Sequence, residues 1–346
     1  VSRNLTSILS GILILAPLFG WGCRVDDREK NDGPMTAAVT VPPQKWLVSQ
    51  IGGEKVSCVV LIPANQDPHT FTGTDADAAR LARCRVFFSI GLPVENSPWC
   101  RAISQQGGLR IVSLADAAHF HANSAPPVHR VTGETESHLE EAATRSDAGT
   151  EDASDHTSEG AQSPENERHQ RDEHDHEVFL HTWLSPRRLV AMGEIVAQTL
   201  EELDPSNGAL YRNNWERLRS QLLQLDEELR EKLAPLKGQE FFVFHSAWEC
   251  FAADYGLVQV ALESHGKEPS DHEITELQRR AQRARIKVML VQPQISSRAA
   301  HAVAEAAGLR LVTVNPLAED IPHELRHVAE TLVSAYRERI KSSNAE

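Results

Sequence analysis

The sequence predicts an α/β protein built as two lobes with mostly parallel sheets, joined by one long rigid helix. Three observations predict it. Short apolar runs rich in β-branched and aromatic residues alternate with segments of helical spacing, both before residue 115 and after residue 238. That alternation is the pattern of parallel strands with crossover helices. Between the two regions runs one long amphipathic segment, Asn207–Leu233, about 40 Å of helix at 1.5 Å per residue. The length of 346 residues suits two domains of about 150 residues each.

Residues 1–23 read as an export signal. Arg3 precedes an apolar run from Ile8 to Trp21, too short for a membrane-spanning helix. The run ends at Gly22-Cys23, which is similar to a bacterial lipoprotein cleavage site, with Cys23 as the lipidated residue. A plain signal peptide cut nearby is the other reading. Residues 24–38 follow as a polar tether, and residues 39–204 form the first lobe.

Within that lobe Val56–Ile62 (VSCVVLI) is a continuous apolar run, as in a strand buried on both faces. Asp75–Cys84 has helical spacing with Asp75 as its cap. Arg85–Ile90 and Leu109–Leu114 are two further strands. Order then lapses in an insertion, residues 122–177, poor in large apolar side chains. Such a segment buries too little surface to offset its ordering entropy, so disorder is expected.

Order resumes at Val178–Leu184 (VFLHTWL), and Pro186 opens a helix that runs to Leu203. Residues 205–234 carry the linking helix, and residues 235–346 the second lobe. There Phe241–His245, Val258–Leu262, Ile286–Gln292 and Arg310–Val314 read as strands. Ala247–Tyr255, Asp271–Ala284, Ser297–Ala307 and Pro322–Ile340 read as helices.

The formal charge is −14, which excludes a general nucleic-acid binder, because phosphate affinity requires clustered Lys and Arg. The acidity is uneven. Residues 119–178 hold 15 Asp and Glu against 4 Lys and Arg, together with 8 of the 16 histidines. Within them His169, His174 and His176, beside Asp172, Glu173 and Asp175, form the densest group. They read as a secondary, low-affinity metal collector, against the plainer reading of a solvated acidic linker. Cys58, Cys84, Cys100 and Cys250 show no CxxC spacing, which argues against a cysteine-zinc site. Disulfides among them and buried free thiols both remain open.

Three other histidines stand out by position. His69 follows the first apolar run in the turn NQDPHTF, His181 lies within VFLHTWLSP, and His245 ends the strand FFVFH. In open α/β sheets ligands bind beyond the carboxyl ends of the strands. Neutral imidazoles from three separate elements supply most of a tetrahedral zinc site. Each taken alone is also an ordinary hydrogen-bonded residue.

At these residues the chain resembles the zinc- and manganese-binding solute receptors of bacterial ABC importers, the cluster A-I or zinc-uptake family. The matching phrases are IGGEKVSCVVLIPANQDPHTF, LHTWLSP with DPSN, FVFHSAWECFAADYGL, HGKEPSDHEITEL and VQPQISSRAAHAVAEAAGLRLVTVNPLAED. They run in family order from about Val39 to Ile340. The resemblance implies a metal site in the cleft between two lobes, with His69 and His181 from the first and His245 from the second. It implies an exported binding protein that is not an enzyme, periplasmic or lipid-anchored at the outer face of a membrane. Its partners would be an ABC permease and its ATPase, and it would act as a monomer.

The chain departs from the family at the fourth position, where a DPL motif is replaced by NPL and the residue is Asn315. Its amide is expected to coordinate weakly, to hydrogen-bond a metal-bound water, or to do neither. Three imidazoles with at most one amide favour Zn²⁺ over Mn²⁺, which prefers hard oxygen ligands. A manganese receptor is the alternative within the family, and a three-His zinc hydrolase the alternative outside it. The hydrolase lacks an HExxH motif, and its nearest candidate base, Glu249, is expected on a helix surface. Adhesion is a third class. His265, Glu268 and His272 read as shaping a loop and a helix cap, with His265 a reserve ligand. His323 and His327 read as a surface pair.

Overall fold

The computed structural model describes residues 33–115, 129–130, 181–263, 270–294 and 297–343. The described residues form two sheets, parallel throughout. The first comprises β1 (Met35–Val39), β2 (Val56–Val60), β3 (Val86–Ser89) and β4 (Arg110–Ser113), in the order β2-β1-β3-β4. The second comprises β5 (His129–Arg130), β6 (Glu240–His245), β7 (Val258–Glu263), β8 (Val288–Val291) and β9 (Arg310–Thr313), in the order β5-β7-β6-β8-β9. Both belong to one compact unit that begins at Pro34.

Around the first sheet lie α1 (Pro42–Gly52), α2 (Asp75–Leu81), α3 (Pro98–Gln105) and α4 (Pro186–Leu203). The long helix α5 (Gly208–Leu233) follows, then α6 (Glu249–Tyr255), α7 (Asp271–Arg283), α8 (Ser297–Ala307) and α9 (Ile321–Ser343). The α5 helix has 26 residues, about 39 Å at 1.5 Å per residue. Its buried residues, Tyr211, Trp215, Leu218, Leu222, Leu225, Leu229 and Leu233, recur every three or four positions, which makes one continuous apolar stripe. Helices α1 and α4 pack on this rod from the first lobe, and α6 and α9 from the second. No described helix is long and apolar enough to cross a membrane.

Several sequence expectations are corrected. The tether does not extend to residue 38: Met35–Val39 is a central strand of the first sheet. Its alanines, Ala37 and Ala38, are fully buried, but their small side chains give a weak strand signal. The α1 helix has no Ser, Thr, Asp or Asn at its start. Buried Gln44 does the capping instead, its Oε1 accepting from Thr40 N at 2.9 Å and Val41 N at 3.1 Å. Thr74, rather than Asp75, caps α2, in a reciprocal box with Asp77. Val56–Val60 is not buried on both faces: β2 lies at a sheet edge with Ser57 exposed. Of the insertion 122–177, the described residues 129 and 130 pair in parallel with Val260 and Ala261, so ordered pairing reaches into a segment expected to have none.

The core explains where the functional residues point. Along β6, Phe241 and Val243 join the large core that takes in the first lobe and α5. Phe242 and Phe244 join a separate core, with Leu277, Ala281, Val303 and Ala304 from α7 and α8. Side chains alternate across a strand, so His245, at the end of β6, shares the parity of Phe241 and Val243 and lies on the first-lobe side of the sheet.

Candidate metal centre

Each of the three histidines is set by a different local device. His69 lies in the connection after β2, where Asp67 Oδ1 accepts its backbone N–H at 2.9 Å and Asp67 O accepts from Phe71 N at 3.1 Å. These bonds close a tight turn whose only need is a short acceptor side chain at Asp67. His181 directly precedes a single turn of 3₁₀ helix, Thr182–Leu184. Its carbonyl accepts from Leu184 N at 3.1 Å. Buried Trp183 anchors that turn by donating Nε1–H to Pro316 O, 2.7 Å away in the second lobe. Ser185 then caps α4 by accepting from Arg188 N at 3.2 Å. His245 is presented by the strand parity described above.

The three rings converge. Their centroids are 5.4 Å apart for His69 and His181, 5.1 Å for His69 and His245, and 5.5 Å for His181 and His245. One ring nitrogen from each lies within 4.8 Å of the others. Around a tetrahedral zinc with bonds of about 2.0–2.1 Å, ligand nitrogens stand about 3.3 Å apart, so a contraction of up to about 1.5 Å brings these three to the spacing of such a shell. His181 is 5% exposed. Burial, followed by the fields of His245 and His69, holds its pKa well below the usual 6.5. It is therefore neutral at pH 7, the form in which an imidazole donates its lone pair to a metal.

Asn315 lies just past β9, on the loop that meets the first lobe. Its Oδ1 accepts from Leu317 N and from Gln294 Nε2, both at 3.1 Å, and its backbone N–H donates to Glu324 Oε1 at 2.6 Å. Both lone-pair directions of that amide oxygen are thus engaged. Glu249 is 6% exposed, not on a helix surface. Burial raises its pKa against the opposing hydrogen bond from Ser246 Oγ. Gln294, which no sequence argument singled out, bridges the lobes by donating to Ala64 O as well as to Asn315. The available signal was its place just beyond a strand end in VQPQ. Trp183, Trp215 and Trp248 are all buried packing residues. His272 and His323 are exposed and His327 half-buried, and the α7 cap is Ser270 with Glu273. Cys58, Cys84, Cys100 and Cys250 are free thiols. Cys23, His169, His174, His176, His265 and Glu268 lie outside the described residues.

Two parallel α/β lobes are thus braced by one helix, with imidazoles from both lobes meeting at the strand ends. The family model described as ZnuA, zinc-uptake complex component A, periplasmic, matches residues 38–342. The chain belongs to that family, which is one of substrate-binding uptake components and not of enzymes. Among its relatives is the zinc-binding lipoprotein AdcA of Streptococcus pneumoniae, 23% identical over 330 residues. That alignment takes in 95% of this chain and 58% of AdcA, so the chain spans little more than half the length of this relative. The crystal structure of ZnuA superposes with a TM-score of 0.66 at 26% identity, covering 88% of this chain and 99% of that one. A 138-173 ZnuA deletion mutant plus zinc bound gives a TM-score of 0.65 at 28% identity, covering 88% and 98%.

Proposed function

We propose that this protein is the extracytoplasmic receptor of a zinc importer, capturing Zn²⁺ on His69, His181 and His245 and delivering it to an ABC permease and its ATPase. The observation that carries the reading is the convergence of three imidazoles, two from the first lobe and one from the second. An all-imidazole donor set suits zinc better than manganese. Family membership supports transport rather than catalysis, and the family's periplasmic description supports an extracytoplasmic location. Attachment through a lipid on Cys23 is the finer reading, as is a monomeric receptor. We divide the chain into a first lobe that opens with β1 at Met35 and runs to residue 204, a linking segment of 205–234 and a second lobe of 235–346. With Asn315 Oδ1 engaged by two N–H donors, we read Asn315 as a structural residue of the cleft and not as the fourth ligand. We read His169, His174 and His176 as a secondary, weaker collecting site.

Calorimetry with Zn²⁺ and Mn²⁺ tests this reading, using the chain from Arg24 with and without residues 122–177. One tight zinc site that survives the deletion, with weak manganese, is the expected result. His245→Ala should abolish that site while the circular dichroism spectrum is retained. Tight zinc binding by His245→Ala, or preference for manganese, would refute the assignment.

A further inference from the structure

His245 closes β6, and Gln294 and Asn315 follow the carboxyl ends of β8 and β9. Val243 pairs with Leu290, and Val291 with Thr313. Extended by two residues, these registers set His245 level with Gln292 and Asn315 level with Pro293, and Gln294 directly follows Pro293. Its side chain also reaches the first lobe, where Nε2 donates to Ala64 O in the connection that carries His69.

The orientation of this amide follows from its neighbours. Asn315 Oδ1 is identified as an oxygen because Leu317 N donates to it at 3.1 Å, and Ala64 O is a backbone carbonyl. The Gln294 atom facing both acceptors must therefore be its nitrogen. That leaves Gln294 Oε1 buried with no hydrogen-bond partner among the described residues. A buried carbonyl oxygen left unmatched is costly, and it is uncommon enough in folded proteins to call for a functional account.

We propose that Gln294 Oε1 takes the fourth position around the captured ion, with Asn315 holding the Gln294 amide in place. This rests on the reading of the three-histidine cleft as the zinc site. Gln294 thereby offers a neutral oxygen from the strand end beside the one that carries Asn315. A neutral oxygen beside three imidazoles suits zinc and does little to attract harder ions.

Cobalt(II) absorption and zinc competition test the assignment, on the unaltered protein and on Gln294→Ala, Gln294→Leu and Asn315→Ala. Both Gln294 variants should weaken zinc binding and change the cobalt d–d bands as water replaces the amide. Circular dichroism and metal-free melting of the near-isosteric Gln294→Leu report that the fold is intact. If Gln294 merely latches the lobes, affinity will fall with the cobalt spectrum unchanged, and that result would overturn the proposal. So would a spectrum that changes in Asn315→Ala but in neither Gln294 variant. Absence of any tight ion in the unaltered protein would overturn the receptor reading along with it.

Discussion

Gly193→Ala is a demanding test of how α4 meets α5. Gly193 lies mid-helix in α4, and a Cβ built there falls 2.3, 2.7 and 2.9 Å from Cζ3, Cη2 and Cε3 of Trp215 on α5. Carbon atoms in contact prefer about 3.5–4.0 Å, so the methyl and the indole overlap by more than an ångström. The ring has nowhere to slide. Trp215 is fully buried, and its Nε1–H donates to Glu194 Oε2 at 2.7 Å, a bond worth about 1 kcal/mol. Overpacking of a tight core costs about 1–3 kcal/mol, and breaking the indole bond adds to it. Against this, alanine gains about 1 kcal/mol over glycine in a helix. The net expectation is a loss of about 1–3 kcal/mol, read as a lower urea midpoint at unchanged m-value. Each kcal/mol corresponds to about 2–4 °C of melting temperature in a protein of somewhat smaller size. Trp215→Phe in the same chain should relieve part of the overlap, giving a favourable coupling in the double-mutant cycle. A neutral or stabilising Gly193→Ala would refute the close α4–α5 contact, since helix propensity alone predicts stabilisation.

Two further outcomes follow from polar groups around the rod. Asp226 on α5 is 6% exposed and accepts from Arg187 Nε and Arg230 Nη2, both at 2.9 Å, and from Tyr255 OH at 3.2 Å. Asp226→Ala should cost about 2–3 kcal/mol in urea unfolding, below the figure for a fully buried pair because both arginines are part-exposed; a cost under about 0.5 kcal/mol would show that water replaces the network. At Asp204, burial raises the carboxyl pKa, but hydrogen bonds from Ser206, Tyr211 and Asn207 together outweigh it and hold it below the usual 3.8. Its ionised form therefore stabilises the fold above the unfolded value and loses that contribution as pH falls through the folded value. The stability gap between wild type and Asp204→Ala should accordingly stay constant from pH 7 to 5 and narrow below about pH 4; a gap undiminished at pH 3 would contradict the linkage.

The second lobe was the more legible half in the sequence. Its strands carry runs such as FFVF and VMLV, and Ser297–Ala307 has the predicted helix bounds to the residue. The first lobe hid its central strand in MTAAV, where alanines fill the space a larger residue would advertise. It also hid α1, whose capping glutamine lies inside the helix rather than before it. The histidines were visible as residues at loop and strand ends, but their convergence depends on how two sheets face each other, which no local pattern encodes. Glu249 was misjudged because helical spacing does not reveal that α6 turns its first residue inward. Gln294 was passed over for a related reason: its significance comes from Ala64, 230 positions away.

The rod formed by α5 also bears on timing. Both lobes are stapled to the same helix, so the cleft is already assembled before an ion arrives and little ordering entropy remains to be lost on capture. A stiff, preassembled socket of this kind binds tightly by letting go slowly. On the proposed receptor reading, spontaneous escape of the ion would be slow, and release would come from opening local loops such as the one bearing His69 rather than from swinging the lobes apart.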